Sequence, residues 1–214
     1  FVIAGDPPAR LDWTGATAVA GAPSLDGGVA ISLDPGVALP PVLFVGLDAN
    51  YAEDVERLCL ETPGLVVIDE AYHEFAGRSV VPLLERHPNL VVLRTFSKAM
   101  ALAGLRVGYL LAAPRLVREI DKARLPYNLN FFSQAAALAV LAAPATVEAN
   151  VERLVRAREA LFRELAGIPG VRPYRSHANF ILFALGRRLP SDLFQAILGD
   201  GVLLRDVRAT PALP

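Results

Sequence analysis

Two short runs of branched aliphatic residues end on polar or charged groups. Leu65-Val-Val-Ile68 runs into Asp69, and Leu90-Val-Val-Leu93 runs into Arg94-Thr-Phe-Ser-Lys98. A strand that is apolar at every position, and not only at alternate ones, belongs in a parallel sheet buried on both faces. Val42 to Leu47 and Val107 to Ala112 are further apolar runs, and Tyr51 to Leu60 has helical spacing, with Val55, Leu58 and Cys59 on one side. The fold class that follows is α/β, a mostly parallel sheet covered by helices. Ligands of such sheets gather beyond the carboxyl ends of the strands, where Asp69 and Lys98 both stand.

Beyond Pro114 the pattern turns helical, over Arg115 to Ala123, Phe131 to Ala142 and a long amphipathic stretch from Thr146 to Leu165 that Gly167 to Gly170 closes. A strand (Asn179 to Ala184), a helix (Ser191 to Leu198) and a strand (Val202 to Arg205) are predicted after it. This organisation predicts a large domain over 1–145 and a smaller α/β domain over 146–214. The opening, rich in Gly, Ala, Pro and Asp, has weak periodicity, so 1–50 is read as discontinuous.

The composition, 53% hydrophobic and 20% charged, is that of a globular protein. A net charge of −1 argues against a nucleic-acid or anionic-membrane partner held by charge. The most apolar stretches run about a dozen residues, short of the ~20 that a bilayer demands. A single cysteine, Cys59, excludes an intrachain disulfide and fits a reducing compartment. No secretory signal pattern opens the sequence, so a cytoplasmic protein is expected. His73, His87 and His177 lack metal-ligand spacing and are expected at the surface or in loops, whereas Cys59 reads as core.

Three segments carry chemistry: Val67-Ile-Asp-Glu-Ala-Tyr72, Thr95-Phe-Ser-Lys-Ala99 and Gly104-Leu-Arg-Val-Gly108. A cofactor that works as an electron sink needs an amine for imine formation and a carboxylate to keep its pyridine nitrogen protonated. Its phosphate needs hydroxyls and a guanidinium, whose fork matches phosphate geometry. All of these groups occur here at strand ends. Each residue also has a plainer reading. Lys98 alone is a surface lysine, Asp69 a strand-end turn residue and Tyr72 a packed ring. Thr95 and Ser97 satisfy a tight turn, Arg106 meets a surface carboxylate, and Arg205 pairs with its neighbour Asp206.

Asp69-Glu-Ala-Tyr72 is similar to the D-x-A-Y motif of fold-type I pyridoxal-phosphate-dependent aminotransferases. Thr95-Phe-Ser-Lys-Ala-Met-Ala-Leu-Ala-Gly-Leu-Arg106 resembles that family's lysine motif, with an arginine eight residues after the lysine. Within the superfamily these stretches most resemble the histidinol-phosphate aminotransferases. Softer likenesses are Leu125-Pro-Tyr-Asn-Leu129, Ser176-His-Ala-Asn-Phe180 and Gly201-Val-Leu-Leu-Arg-Asp206. The resemblance implies that Lys98 binds pyridoxal phosphate as an imine and carries the proton, and that Asp69 pairs with the ring nitrogen. Tyr72 would bond the ring oxygen, Thr95, Ser97 and Arg106 the cofactor phosphate, and Arg205 the substrate phosphate. It further implies a homodimer exchanging an amino group between histidinol phosphate and 2-oxoglutarate.

The chain departs from the family pattern in several places. The N-P-T-G turn is absent, with Asn50 the nearest equivalent of its cofactor-binding Asn. The upstream phosphate loop, the tyrosine contributed by a partner subunit and the C-terminal arginine strand are also missing. These gaps raise the expectation of a longer chain with stretches left out, with joins at Trp13-Thr14 and Asn50-Tyr51. Two rival readings stand beside the first: another enzyme on this scaffold, such as a threonine-phosphate decarboxylase or aromatic aminotransferase, and a non-catalytic binding module.

Overall fold

The computed structural model describes residues 51–186 and 190–205, together with the backbone of three short strands before them. Those strands are β1 (Ala16–Thr17), β2 (Ser32–Leu33) and β3 (Val42–Val45), with β1 and β2 paired antiparallel. Trp13, Thr14 and Asn50, on which expectations above were placed, lie outside the described residues. The chain divides into two compact units, Phe1–Val151 and Glu152–Pro214.

The first unit is organised by a four-stranded sheet in the order β3-β4-β5-β6. The two apolar runs become β4 (Leu65–Asp69) and β5 (Leu90–Thr95), parallel neighbours with Val66 opposite Leu90 and Asp69 opposite Leu93. Burial follows from composition: Val66, Val67 and Ile68 are consecutive and all buried, as a strand covered on both faces requires. β3 runs parallel to β4, with Val45 opposite Ile68. The fourth run, β6 (Gly108–Ala112), pairs antiparallel with β5, so the sheet is mixed. An apolar run has no direction of its own. β6 returns directly from the end of β5 through residues 96–107, a connection without the crossover helix that a parallel neighbour needs.

Helix α1 (Tyr51–Glu61) turns Tyr51, Val55, Leu58 and Cys59 inward, the i, i+4, i+7, i+8 stripe of an amphipathic helix. They form one core with Val66 and Ile68 of β4, Leu90 and Val92 of β5, and Val80 and Leu83 of the connection between those strands. That connection holds the single-turn helix α2 (His73–Ala76), which ends on Gly77 at φ 66°, and a 3-10 turn over Val81–Glu85. Asn89 completes the layer. Its Nδ2 donates to the carbonyls of Cys59 (3.0 Å) and Gly64 (3.1 Å), satisfying acceptors where α1 ends and β4 begins. His87 lies in a loop, as expected, yet it is buried there within 3.4 Å of Glu56 Oε1. The turn into β5 carries its ring under α1, a placement that spacing alone does not show.

Helix α3 (Pro114–Lys122) opens on a proline whose missing N–H is not needed there. Helix α4 (Phe131–Leu141) is capped by Asn130, whose Oδ1 accepts from the Ser133 amide at 2.9 Å. Helix α5 (Pro144–Ala166) begins in the first unit and ends in the second. Among the described residues no single helix is long and apolar enough to cross a membrane.

The second unit contains a two-stranded antiparallel ribbon of β7 (Val171–Pro173) and β8 (Phe183–Leu185), then helix α6 (Pro190–Gly199). Two sequence expectations fail here. Of Asn179 to Ala184 only the last residues join a strand, and Val202 to Arg205 is not a strand. A strand exists only where another chain segment completes its ladder; β7 reaches as far as Phe183, and nothing described pairs with 202–205.

Core and surface should therefore respond differently to truncation. Ile68→Ala, at a fully buried position, is expected to destabilise the protein by about 2–5 kcal/mol. Leu60→Ala, on the exposed side of α1, should stay within about 0.5 kcal/mol in the same denaturant titration. Burial, helped by Glu56, pushes the Cys59 thiol up to about 11. At pH 8 roughly a thousandth of it is thiolate, so a thiol reagent should label Cys59 only once denaturant opens the core.

Candidate active site

Because β4 and β5 are parallel, both leave the sheet at the same edge. Asp69 is the last residue of β4 and Thr95 the last of β5. The next residue after Asp69, Glu70, remains tied to the sheet through its amide, which donates to the Leu93 carbonyl at 2.8 Å. Asp69 itself is exposed, and its Oδ1 accepts from the Ala71 amide at 2.9 Å. This Asx turn redirects the chain so that Tyr72 comes back over the edge of the sheet.

On β5 the exit is a tight loop. The Thr95 hydroxyl accepts from the Ser97 amide (3.1 Å) and donates to the Val107 carbonyl (3.3 Å), pinning both ends of the connection. Phe96 and Val107 close the same loop through a backbone bond of 3.0 Å, and the Leu102 amide returns to the Phe96 carbonyl at 2.9 Å. Phe96 and Val107 are buried with Ala137 of α4, and Ser133 of that helix donates to the Leu105 carbonyl at 2.6 Å. The loop that carries Lys98 is thus clamped from beneath, while Ser97 and Lys98 stay partly exposed.

Two residues of the loop, Ala101 and Arg106, hold left-handed backbone at φ 56° and 53°. Non-glycine residues pay for that conformation, and such outliers cluster where a site constrains the chain. At Arg106 it turns the side chain back, and Nη1 donates to the Ala103 carbonyl at 2.9 Å. The Lys98 ammonium lies 5.2 Å from the centre of the Tyr72 ring, within cation–π range. The fold therefore brings Asp69, Tyr72, Thr95, Ser97, Lys98 and Arg106 to one edge of one sheet. Asn50 lies outside the described residues. Arg205 is an exposed residue of the second unit.

The sequence reading missed what lies behind this edge. Glu70 is completely buried. Its Oε1 accepts from the Tyr51 hydroxyl (2.8 Å) and the Val80 amide (2.6 Å), and its Oε2 from Ser79 Oγ (2.9 Å) and from Arg94 Nε (3.1 Å) and Nη2 (2.9 Å). Burial first, then the Glu70 charge, pushes the Tyr51 phenol far above its ordinary pKa, so it remains a donor. Burial works against the Arg94 charge, but the proximity of Tyr109 and the hydrogen bonds and charge of Glu70 outweigh it and leave its pKa above the ordinary value. The available signal was one acid and one base placed side by side on adjacent strand exits in otherwise apolar runs.

The groups at the edge fit a phosphorylated pyridine aldehyde. An amine, an exposed carboxylate, a phenol ring, a half-buried hydroxyl and a guanidinium stand on loops whose backbone is held independently of them.

Histidinol-phosphate aminotransferase 1 of Carboxydothermus hydrogenoformans is 48% identical over 153 residues, covering 72% of this chain and 43% of that protein. The crystal structure of histidinol-phosphate aminotransferase from Sinorhizobium meliloti in complex with pyridoxal-5'-phosphate superposes with a TM-score of 0.64 at 31% identity, over 72% of this chain and 44% of that one. L-threonine-O-3-phosphate decarboxylase from Porphyromonas gingivalis superposes at 0.67 with 25% identity, over 76% and 51%. The chain thus spans about half the length of the relatives it matches. The fold is that of the fold-type I pyridoxal-phosphate enzymes. Residues 46–212 match the sequence pattern of the family described as aminotransferase class I and II, and the chain belongs to that family.

Proposed function

We propose that this chain carries the cofactor-binding half of a pyridoxal-phosphate-dependent aminotransferase that moves an amino group between histidinol phosphate and 2-oxoglutarate in histidine biosynthesis. The observation that carries the reading is the convergence of Lys98 with Tyr72, 5.2 Å from amine to ring centre, at the edge where Asp69 ends the neighbouring strand. When bound, the cofactor supplies an electron sink for the bond changes at the substrate's α-carbon.

The protein's own groups have separate tasks. Lys98 anchors the cofactor and, once released from it, takes and returns the proton at the substrate's α-carbon. With the cofactor bound, the Asp69 carboxylate would pair with the ring nitrogen and keep it protonated. Its Oδ1 already accepts from the Ala71 amide, which fixes its direction. Tyr72 would give its hydroxyl to the ring oxygen, and its ring face steadies the lysine amine. Thr95, Ser97 and Arg106 would receive the cofactor phosphate, and Thr95 also holds the turn that presents the other two. Arg205, with Asn50 at the other end of the site's sequence, takes the roles that the family resemblance implies: substrate phosphate and cofactor ring. A homodimer in the cytoplasm completes the proposal.

A second reading has a specific support. The threonine-phosphate decarboxylase of Porphyromonas gingivalis superposes as well as the aminotransferases do. Both substrates are amino compounds bearing a phosphate, so the edge described here serves either.

Lys98→Ala is expected to abolish the visible absorbance band of the bound cofactor and lower turnover by about 10²–10⁴-fold or more. A band that survives this change counts against the assignment of the lysine. Assayed side by side, histidinol phosphate should be turned over in preference to phenylalanine and threonine phosphate. Release of carbon dioxide from threonine phosphate at the higher rate would make the decarboxylase reading correct. Light scattering in solution should give the mass of two subunits.

A further inference from the structure

Directly behind the two strand exits lies a pair of opposite charges that none of the roles above uses. Glu70 stands between Asp69 and Tyr72 in the chain, and Arg94 immediately precedes Thr95. A buried ion pair is a poor device for stability alone, because desolvation cancels most of the attraction and well-packed apolar residues do as well. Yet this carboxylate accepts five hydrogen bonds, the saturation that makes a buried charge tolerable. Its partners come from three places: Tyr51 at the start of α1, Ser79 and Val80 in the connection from β4, and Arg94 at the exit of β5.

The geometry couples the cluster to the site on both sides. On the β4 side, displacement of Glu70 moves Asp69 and the turn that carries Tyr72, since one peptide unit separates it from each of Asp69 and Ala71. On the β5 side, Arg94 stands opposite Tyr109 in the β5–β6 ladder, and the Tyr109 ring meets Phe96 edge to face at 5.8 Å. Phe96 lies between Thr95 and Ser97, two residues before Lys98. The charged and titratable groups that face the pair are Tyr51 from α1, Asp69 from β4 and Tyr109 from β6.

We propose that Glu70 and Arg94 act as positioning residues, a charge-balanced pair of a buried carboxylate and a partly buried guanidinium that fixes Asp69 relative to Lys98 and keeps its own net field at the site near zero. The proposal rests on the cofactor reading of Asp69 and Lys98. Removing one partner then has two effects. The geometry loosens, and turnover falls on the order of 10²-fold, as misplacement of reacting groups by about 1 Å does. One charge is also unmasked beside the site, which shifts the protonation of the Lys98 nitrogen in the cofactor-bound protein.

The sign of that shift separates positioning from mere support of the fold. Glu70→Gln leaves the Arg94 cation uncompensated, which disfavours a proton at Lys98 and lowers the pH midpoint of the cofactor's visible band. Arg94→Gln leaves an anion and raises it. Both variants of the holoenzyme should drop kcat by more than KM changes, with midpoints displaced in opposite directions by about half a unit or more. Ile68→Val, a change in the same strand that removes no charge, should lower thermal stability without moving the midpoint. If either charge variant fails to fold, Tyr51→Phe and Ser79→Ala, which each remove one hydroxyl from the cluster, should lower kcat with the same sparing of KM. Midpoints that match the wild type, or move together, with kcat tracking thermal stability as in Ile68→Val, would overturn the proposal. A wild-type protein with no cofactor band would instead overturn the reading on which it rests.

Discussion

Parallel pairing of β4 with β5 is the constraint on which the rest of the site depends. Parallel neighbours end at the same edge, so residues far apart in sequence, Asp69 and Lys98, arrive at one edge of the sheet. The energy for this comes from Val66, Ile68, Leu90 and Val92, all fully buried beneath α1. Each such side chain contributes about 1.5–3 kcal/mol relative to exposure. Polar groups at the edge then need not hold the fold together, and they remain open to chemistry.

The antiparallel return of β6 adds the third component. A parallel neighbour would carry the chain away through a crossover, whereas β6 folds straight back, with Gly108 opposite Thr95. The intervening loop is short, so Arg106 is delivered to the edge that Lys98 occupies. Its geometry is costly, with two non-glycine residues in left-handed backbone. The loop tolerates this because Thr95, Ser133 and the buried side chains of Phe96 and Val107 hold it at several points.

Below the edge the arrangement is reversed. Glu70 is withdrawn from solvent and saturated with partners, and Arg94 closes over it partly buried, while Asp69 is exposed at the edge. Adjacent residues of one strand exit, Asp69 and Glu70, point to opposite environments because side chains alternate along a strand. Two neighbouring carboxylates therefore meet different partners, with one left toward the site and the other tied into the frame.

Much of this was written in local sequence. The unbroken aliphatic runs of β4 and β5 and the stripe Val55-Leu58-Cys59 follow from short-range pattern, because periodicity reports how a segment is buried, and Tyr72 and Arg106 were legible through the motifs that resemble the family's. What pattern could not report was pairing. The antiparallel direction of β6, the absence of a ladder for Val202 to Arg205, the burial of His87 under α1 and the union of Glu70 with Tyr51, Ser79 and Arg94 are contacts between distant segments. The sequence by itself determined which residues could serve a site at a strand end. Tertiary structure alone decided which of them meet, because hydrogen-bond ladders and buried ion pairs take their partners from elsewhere in the chain.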